Sequence, residues 1–206
     1  ENVLENGKDP VVAIIGGAKV SDKMKVIEKL LDRCDQLIIG GGMGYTFMKS
    51  QGDEIGNSLC EDEYLDIAKE WFATGKIILP SDWVVADDIN STDTLLVSEI
   101  LTSQSGFDIG PSSVKTFTEI INNANTILWN GPMGVFEKEQ FASGTAGIAN
   151  AVANAKAYTV VGGGDSVAAI RQYKLEDSID HVSTGGGATL EYIEQGTLLG
   201  IEALLK

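Results

Sequence analysis

Two lysines, Lys19 and Lys23, follow the glycine pair Gly16–Gly17, and they stand four residues apart. A single carboxylate, Asp165, follows the run Gly162–Gly164, with Ser166 beside it. Lysines among glycines suit an anion, and at a helix start a spacing of four puts them on one face. Cations at a helix N-terminus are unfavourable by up to ~1 kcal/mol, which makes sense if an anion is bound. The plainer alternative is a solvated lysine face, since Lys25 and Lys29 continue the run. Asp165 and Ser166 stand where an N-cap is wanted. Their functional reading is a phosphate cradle of backbone N–H groups with Asp165 on Mg2+. A third segment, WNGPMGVFE, offers Asn130, a turn stiffened by Pro132, and Glu137 as a carboxylate for ribose hydroxyls. Its alternative is a loop that merely follows a strand end.

Other chemistries fail on their spacing. No GxxxxGK[ST] phosphate loop is present. Gly40-x-Gly42 is followed by Tyr45, and Gly162-x-Gly164 by Val167, where a dinucleotide fingerprint needs glycine. A nicotinamide-dependent oxidoreductase is therefore disfavoured. There is no GxSxG elbow, and His181, the single histidine, reads as structural. Asp87 and Asp88 read as solvated surface.

These residues need a scaffold, and the apolar runs supply it. Five runs stop at glycine clusters, at Gly16–Gly17, Gly40–Gly42, Gly131–Gly134, Gly162–Gly164 and Gly185–Gly187. Strands are predicted over 11–15, 36–39, 76–79, 83–86, 126–129, 157–161 and, weakly, 180–183. Helices are predicted over 21–32, 61–73, 112–122, 144–154, 165–172, 188–195 and 198–205. Residues 87–111 read as a strand and a long loop. The alternation predicts an α/β domain with a mainly parallel sheet. Runs such as VVAII and YTVV fit strands covered on both faces. In such a sheet the loops at the carboxyl ends of strands form the ligand crevice. Glycine there lets backbone approach a ligand, and helix starts favour an anion.

The chain has 206 residues and a formal net charge of −15, which argues against nucleic acid or an anionic membrane as partner. No apolar stretch approaches the ~18 residues that span a bilayer. Cys34 and Cys60 form no metal spacing and read as reduced thiols of a cytosolic protein. Arg33 and Arg171 are the two arginines, too few for a multiply anionic metabolite pocket. The polar opening ENVLENGKDP, without an initiator methionine, suggests a domain excised from a larger protein.

Read in order, GGAKVSDK, GGGMGYTFMK, WNGPMGVFE, GGGDS and STGGGATLE resemble phosphoglycerate kinase, specifically its carboxy-terminal nucleotide-binding half. LPSDWVVAD, GFDIGP and EYIEQGTLLGIEAL extend the likeness over essentially the whole chain. The resemblance implies one Rossmann-like, three-layer αβα sandwich over residues 1–206. It implies that Lys19 stabilises the phosphoryl group in transfer and that Lys23 lies on the nucleotide phosphates. Gly17 and Ala18 would lie beside the nucleotide. Gly41, Gly42, Leu59, Gly106, Phe107 and Val135 would enclose adenine, with Phe107 where an aliphatic residue is more usual. Asn130 and Pro132 would lie near phosphates and ribose, with Glu137 on the ribose, and Gly134 would also bind the nucleotide. Gly163, Gly164, Asp165 and Ser166 would form the phosphate loop, with Asp165 on Mg2+. Gly185, Gly186 and Gly187 would form a helix start facing the transferring phosphoryl, so that Lys19, Gly164 and Gly187 make up the catalytic set. The implied substrates are ATP or ADP with Mg2+ and, through a missing amino-terminal domain, 3-phosphoglycerate. The acceptor is an ionised carboxylate, so no catalytic histidine is needed. A cytoplasmic monomer that binds nucleotide without turnover is expected; a non-catalytic nucleotide-binding module is the alternative.

Overall fold

The computed structural model describes residues 7–183. Its centre is a six-stranded sheet, all parallel, of β1 (Val11–Ile15), β2 (Gln36–Ile39), β3 (Ile77–Ile78), β7 (Thr126–Asn130), β8 (Tyr158–Gly162) and β9 (His181–Ser183). The spatial order is β3-β2-β1-β7-β8-β9. The chain therefore builds outward from β1 in one direction and later returns to β1's other side with β7.

Alternate residues of the central strands feed two cores. Val12, Ile14, Ile38, Ile127, Trp129 and Val161 pack on one face, against α4 (Pro111–Asn123), α5 (Ser143–Asn154) and α6 (Gly164–Gln172). Val11, Ala13, Ile15, Leu37, Ile39 and Leu128 pack on the other, against α1 (Met24–Arg33) and α3 (Leu65–Phe72). This is the predicted three-layer αβα sandwich, and burial on both faces is why these strands carry no polar alternation.

Three predictions needed revision. α2 (Met43–Gln51) was not anticipated. Every residue from Met43 to Met48 is buried, so it shows no amphipathic stripe, and its start lies inside a glycine cluster. It ends at Gly52, whose φ of 96° forms a left-handed cap. The region 87–111 holds two strands rather than one, β5 (Leu95–Val97) and β6 (Ser105–Ile109). With β4 (Trp83–Ala86) they form a separate antiparallel sheet in the order β5-β4-β6. The helix predicted from 21 begins with a 3-10 turn, Ser21–Lys23, and becomes α-helical at Met24. The helices predicted over 188–195 and 198–205 lie outside the described residues. Asp87, Asp88 and His181 are exposed.

β6 carries a buried carboxylate. Asp108 accepts the Gly144 N–H at 2.7 Å on one oxygen and its neighbour Ile109's N–H at 2.9 Å on the other. It thus serves the open start of α5 from a different element. Burial pushes its carboxyl up from 3.8 to about 7, against the pull of these two N–H donors. Between those values the folded chain holds a proton that the unfolded chain has lost. Stability contributed by this group is therefore lost as pH rises toward 7. Urea unfolding at stepped pH should show that slope, and Asp108→Asn should flatten it relative to the parent chain.

Candidate active site

The carboxyl ends of four strands finish level. Ile15 is in register with Ile39 and with Asn130, and Asn130 with Gly162. The turns Gly16–Gly17, Gly40–Gly42, Gly131–Gly134 and Gly163–Gly164 consequently lie along one sheet edge. Between β1 and β7 the chain order reverses, which is where an open parallel sheet leaves its crevice.

Lys23 bridges that point. Its Nζ donates to the Gly16 carbonyl at 2.8 Å, to the Asn130 carbonyl at 3.2 Å and to Asn130 Oδ1 at 2.6 Å. Asn130 Nδ2 continues the chain by donating to the Gly162 carbonyl at 2.9 Å. A hydrogen-bonded line thus crosses β1, β7 and β8. Burial lowers the Lys23 ammonium from 10.5 to about 8, although Asp165 and Asp22 favour its charge.

Four turn amides donate to carbonyls of neighbouring turns or strand ends. Gly16 N–H donates to Asn130 O (2.9 Å), Gly17 N–H to Pro132 O (3.0 Å), Gly40 N–H to Ile15 O (2.9 Å) and Gly41 N–H to Met133 O (3.0 Å). Gly131, at φ 97°, abuts the Gly16 carbonyl so closely that a Cβ would strike it, and that Cβ would also lie 2.7 Å from Lys23 Nζ. The absence of a side chain at Gly16, Gly41 and Gly131 lets one turn pack on another. Gly164 differs: nothing lies within 4 Å of a Cβ built on it. It opens α6 after Gly163, and the exposed Gly164 and Asp165 form that helix's first turn.

Two expectations about side chains are corrected. Lys19 precedes the 3-10 turn and lies outside the helix, so it and Lys23 do not share a helical face. Lys19 is exposed with Ala18 at the lip of the edge, beside half-buried Gly17, while Lys23 turns inward. Nor do Asp165 and Ser166 cap α6. Its N-cap is Gly163, with no side-chain cap, and the fully buried Ser166 hydroxyl accepts the Gly131 N–H at 2.5 Å.

The residues expected around adenine gather in two groups. Gly42 stands close to the Ala18 carbonyl and to Leu59, which is 46% exposed, and buried Gly41 abuts Gly17. Phe107 accepts the Val135 N–H at 2.9 Å and leans on Phe141 with ring centres 4.8 Å apart. Gly106 is buried against the Tyr45 ring and gives its N–H to Ser58 Oγ at 2.9 Å, and half-buried Gly134 abuts Asp108. Pro132 is buried and Glu137 exposed. Gly187, with Gly185 and Gly186, lies outside the described residues.

A family model described as phosphoglycerate kinase matches residues 1–196. The chain belongs to the phosphoglycerate kinase family. A phosphoglycerate kinase of Borrelia garinii subsp. bavariensis is 48% identical over 212 residues, covering 99% of this chain and 54% of that protein. One from Clostridium botulinum strain 657 is 49% identical over 211 residues, covering 98% and 53%. Among solved structures, phosphoglycerate kinase from Coxiella burnetii superposes with a TM-score of 0.93 at 45% identity, covering 98% of this chain and 55% of that one. That from Pyrococcus horikoshii OT3 gives 0.85 at 31% identity, covering 99% and 53%. The chain thus spans about half the length of the phosphoglycerate kinases it matches.

Within this member of the phosphoglycerate kinase family, the sequence reading passed over Thr145. Its fully buried hydroxyl accepts the Met133 N–H at 3.0 Å and pins the turn after β7. The one signal was a threonine near the start of a predicted helix. Among the described residues no three His, Cys, Asp or Glu side chains gather as a metal site. One exposed carboxylate at a helix start suits a Mg2+ carried largely by phosphates and water. No described helix is long and apolar enough to cross a membrane.

Proposed function

We propose that this chain is the nucleotide-binding half of a phosphoglycerate kinase, taking ATP or ADP at the carboxyl edge of the six-stranded sheet. The observation that carries this reading is Lys23, seated across the β1–β7 crevice with Asp165 acting on its charge from the start of α6. Nucleotide phosphates entering there would meet the Lys23 ammonium, the first N–H groups of α6 and its dipole. Asp165 would hold the Mg2+ that neutralises phosphate charge. Leu59, Gly42, Phe107 and Val135 would take the base, and Glu137 the ribose.

Phosphoryl transfer asks the protein for position and charge, not for covalent chemistry. The exposed Lys19 would meet the phosphoryl group as it passes to the carboxylate of 3-phosphoglycerate, and Gly164 and Gly187 would supply backbone N–H groups to it. An ionised acceptor gives up no proton. The acceptor would be bound by the remaining half of the relatives' length, so the chain alone should bind nucleotide with negligible turnover. The whole protein would be a cytoplasmic monomer.

Calorimetric titration with MgADP, against NAD as the competing ligand, tests this. MgADP should bind and NAD should not. Free Lys23 loses its charge as pH passes about 8, so MgADP affinity should fall about tenfold between pH 7 and pH 9. Binding of NAD alone, or robust 3-phosphoglycerate-dependent ATP consumption by the isolated chain, would contradict the reading.

A further inference from the structure

The turn after β7 gives two of its own N–H groups to hydroxyls from the helices behind it. Gly131 N–H goes to Ser166 Oγ on α6 at 2.5 Å, and Met133 N–H to Thr145 Oγ1 on α5 at 3.0 Å. Both hydroxyl residues are fully buried. The same turn's carbonyls at Pro132 and Met133 accept from Gly17 and Gly41, and Asn130 just before it accepts from Gly16. The turn is therefore held from both sides, and Asn130, immediately before Gly131, supplies two of the acceptors that seat Lys23.

We propose that Ser166 is a positioning residue for Lys23, acting through Gly131 and Asn130, and that its hydroxyl makes no contact with the nucleotide. A serine hydroxyl offers one O–H and two lone pairs. Here it points into the protein, onto an amide that is itself buried. Removing Oγ strands the Gly131 N–H away from water, a costly state that the turn relieves by opening. Asn130 then shifts with it, and water reaches the Lys23 ammonium. The effect exists before any ligand arrives, which separates it from a direct phosphate contact. Only the ligand arm of the test rests on the nucleotide reading above.

The experiment compares the parent chain with Ser166→Ala and Ser166→Cys, first without ligand. Amide exchange followed by NMR should show Gly131 exchanging at least about tenfold faster in Ser166→Ala, while Leu30 in α1 keeps its parent rate. The Lys23 titration midpoint should move up from about 8 toward its ordinary 10.5. Ser166→Cys, with sulfur as a weaker acceptor, should shift both in the same direction by less. MgADP affinity should weaken about fivefold to tenfold in Ser166→Ala. Parent-like Gly131 exchange and Lys23 titration in Ser166→Ala would overturn the inference. A loss of MgADP affinity alone would then make Ser166 a direct ligand. If Ser166→Ala does not fold, Ser166→Cys decides on the same readouts. A parent chain that fails to bind MgADP would sink the proposed function, and the ligand-free arms would still decide the role of Ser166.

Discussion

Lys19→Ala, in a kinase restored to the full length of its relatives, is expected to lower kcat by ~10²–10³ while leaving nucleotide affinity nearly unchanged. Lys19 is exposed at the lip of the β1 turn, whereas Lys23 is committed to three oxygens inside it. On the proposed reading, its charge would meet a phosphoryl group leaving the edge rather than one resting in it. An interaction made only in the transition state appears in kcat when removed. One strong electrostatic donor in a closed site is worth roughly 3–4 kcal/mol, the source of the factor above. Lys25→Ala is the control, because Lys25 is exposed on α1 away from the turn. Steady-state kinetics in both substrates checks it. Equal losses at 19 and 25, or a Lys19 variant with normal kcat and only a raised KM, would show that the catalytic lysine is misassigned.

What the sequence made legible followed from burial. VVAII is buried throughout and YTVV is buried beyond the exposed Tyr158, because helices cover both faces, and that mostly apolar pattern located β1 and β8 within a residue of their observed bounds. The carboxyl-edge convergence of the glycine turns followed from the same alternation. α2 stayed hidden because a helix buried nearly all round shows no period of 3.6. β5 stayed hidden because consecutive Leu95 and Leu96 are both exposed, so neither face of the strand carries a core signal. The directions of side chains were the least legible. Spacing placed Lys19 and Lys23 together on a helix, yet a 3-10 turn begins after Lys19. Ser166 read as a cap or phosphate ligand, yet it serves an amide 35 positions earlier, a contact that only the tertiary fold creates.

The same distinction gives the largest expected effect on folding. Gly131→Ala should destabilise the chain by roughly 3–5 kcal/mol, combining a disfavoured φ with backbone overpacking. Gly131 sits at φ 97°, its added Cβ would collide with the Gly16 carbonyl, and 2.7 Å away it would meet Lys23 Nζ. A carbonyl in the β1 turn cannot step aside cheaply, since Gly16 O also accepts from Lys23. Gly164→Ala is the counterpart. Its Cβ meets nothing within 4 Å, and alanine is a better helix residue than glycine, so unfolding midpoints should stay level or rise slightly. Yet Gly164 lies in the exposed first turn of α6, where a phosphate would lie against backbone, so MgADP affinity should drop. Urea unfolding and calorimetry on both variants separate a glycine needed by the fold from one needed by the ligand. If Gly131→Ala folds with parent stability, the turns are looser than their packing indicates; if Gly164→Ala binds MgADP as the parent does, the phosphates do not lie on the start of α6.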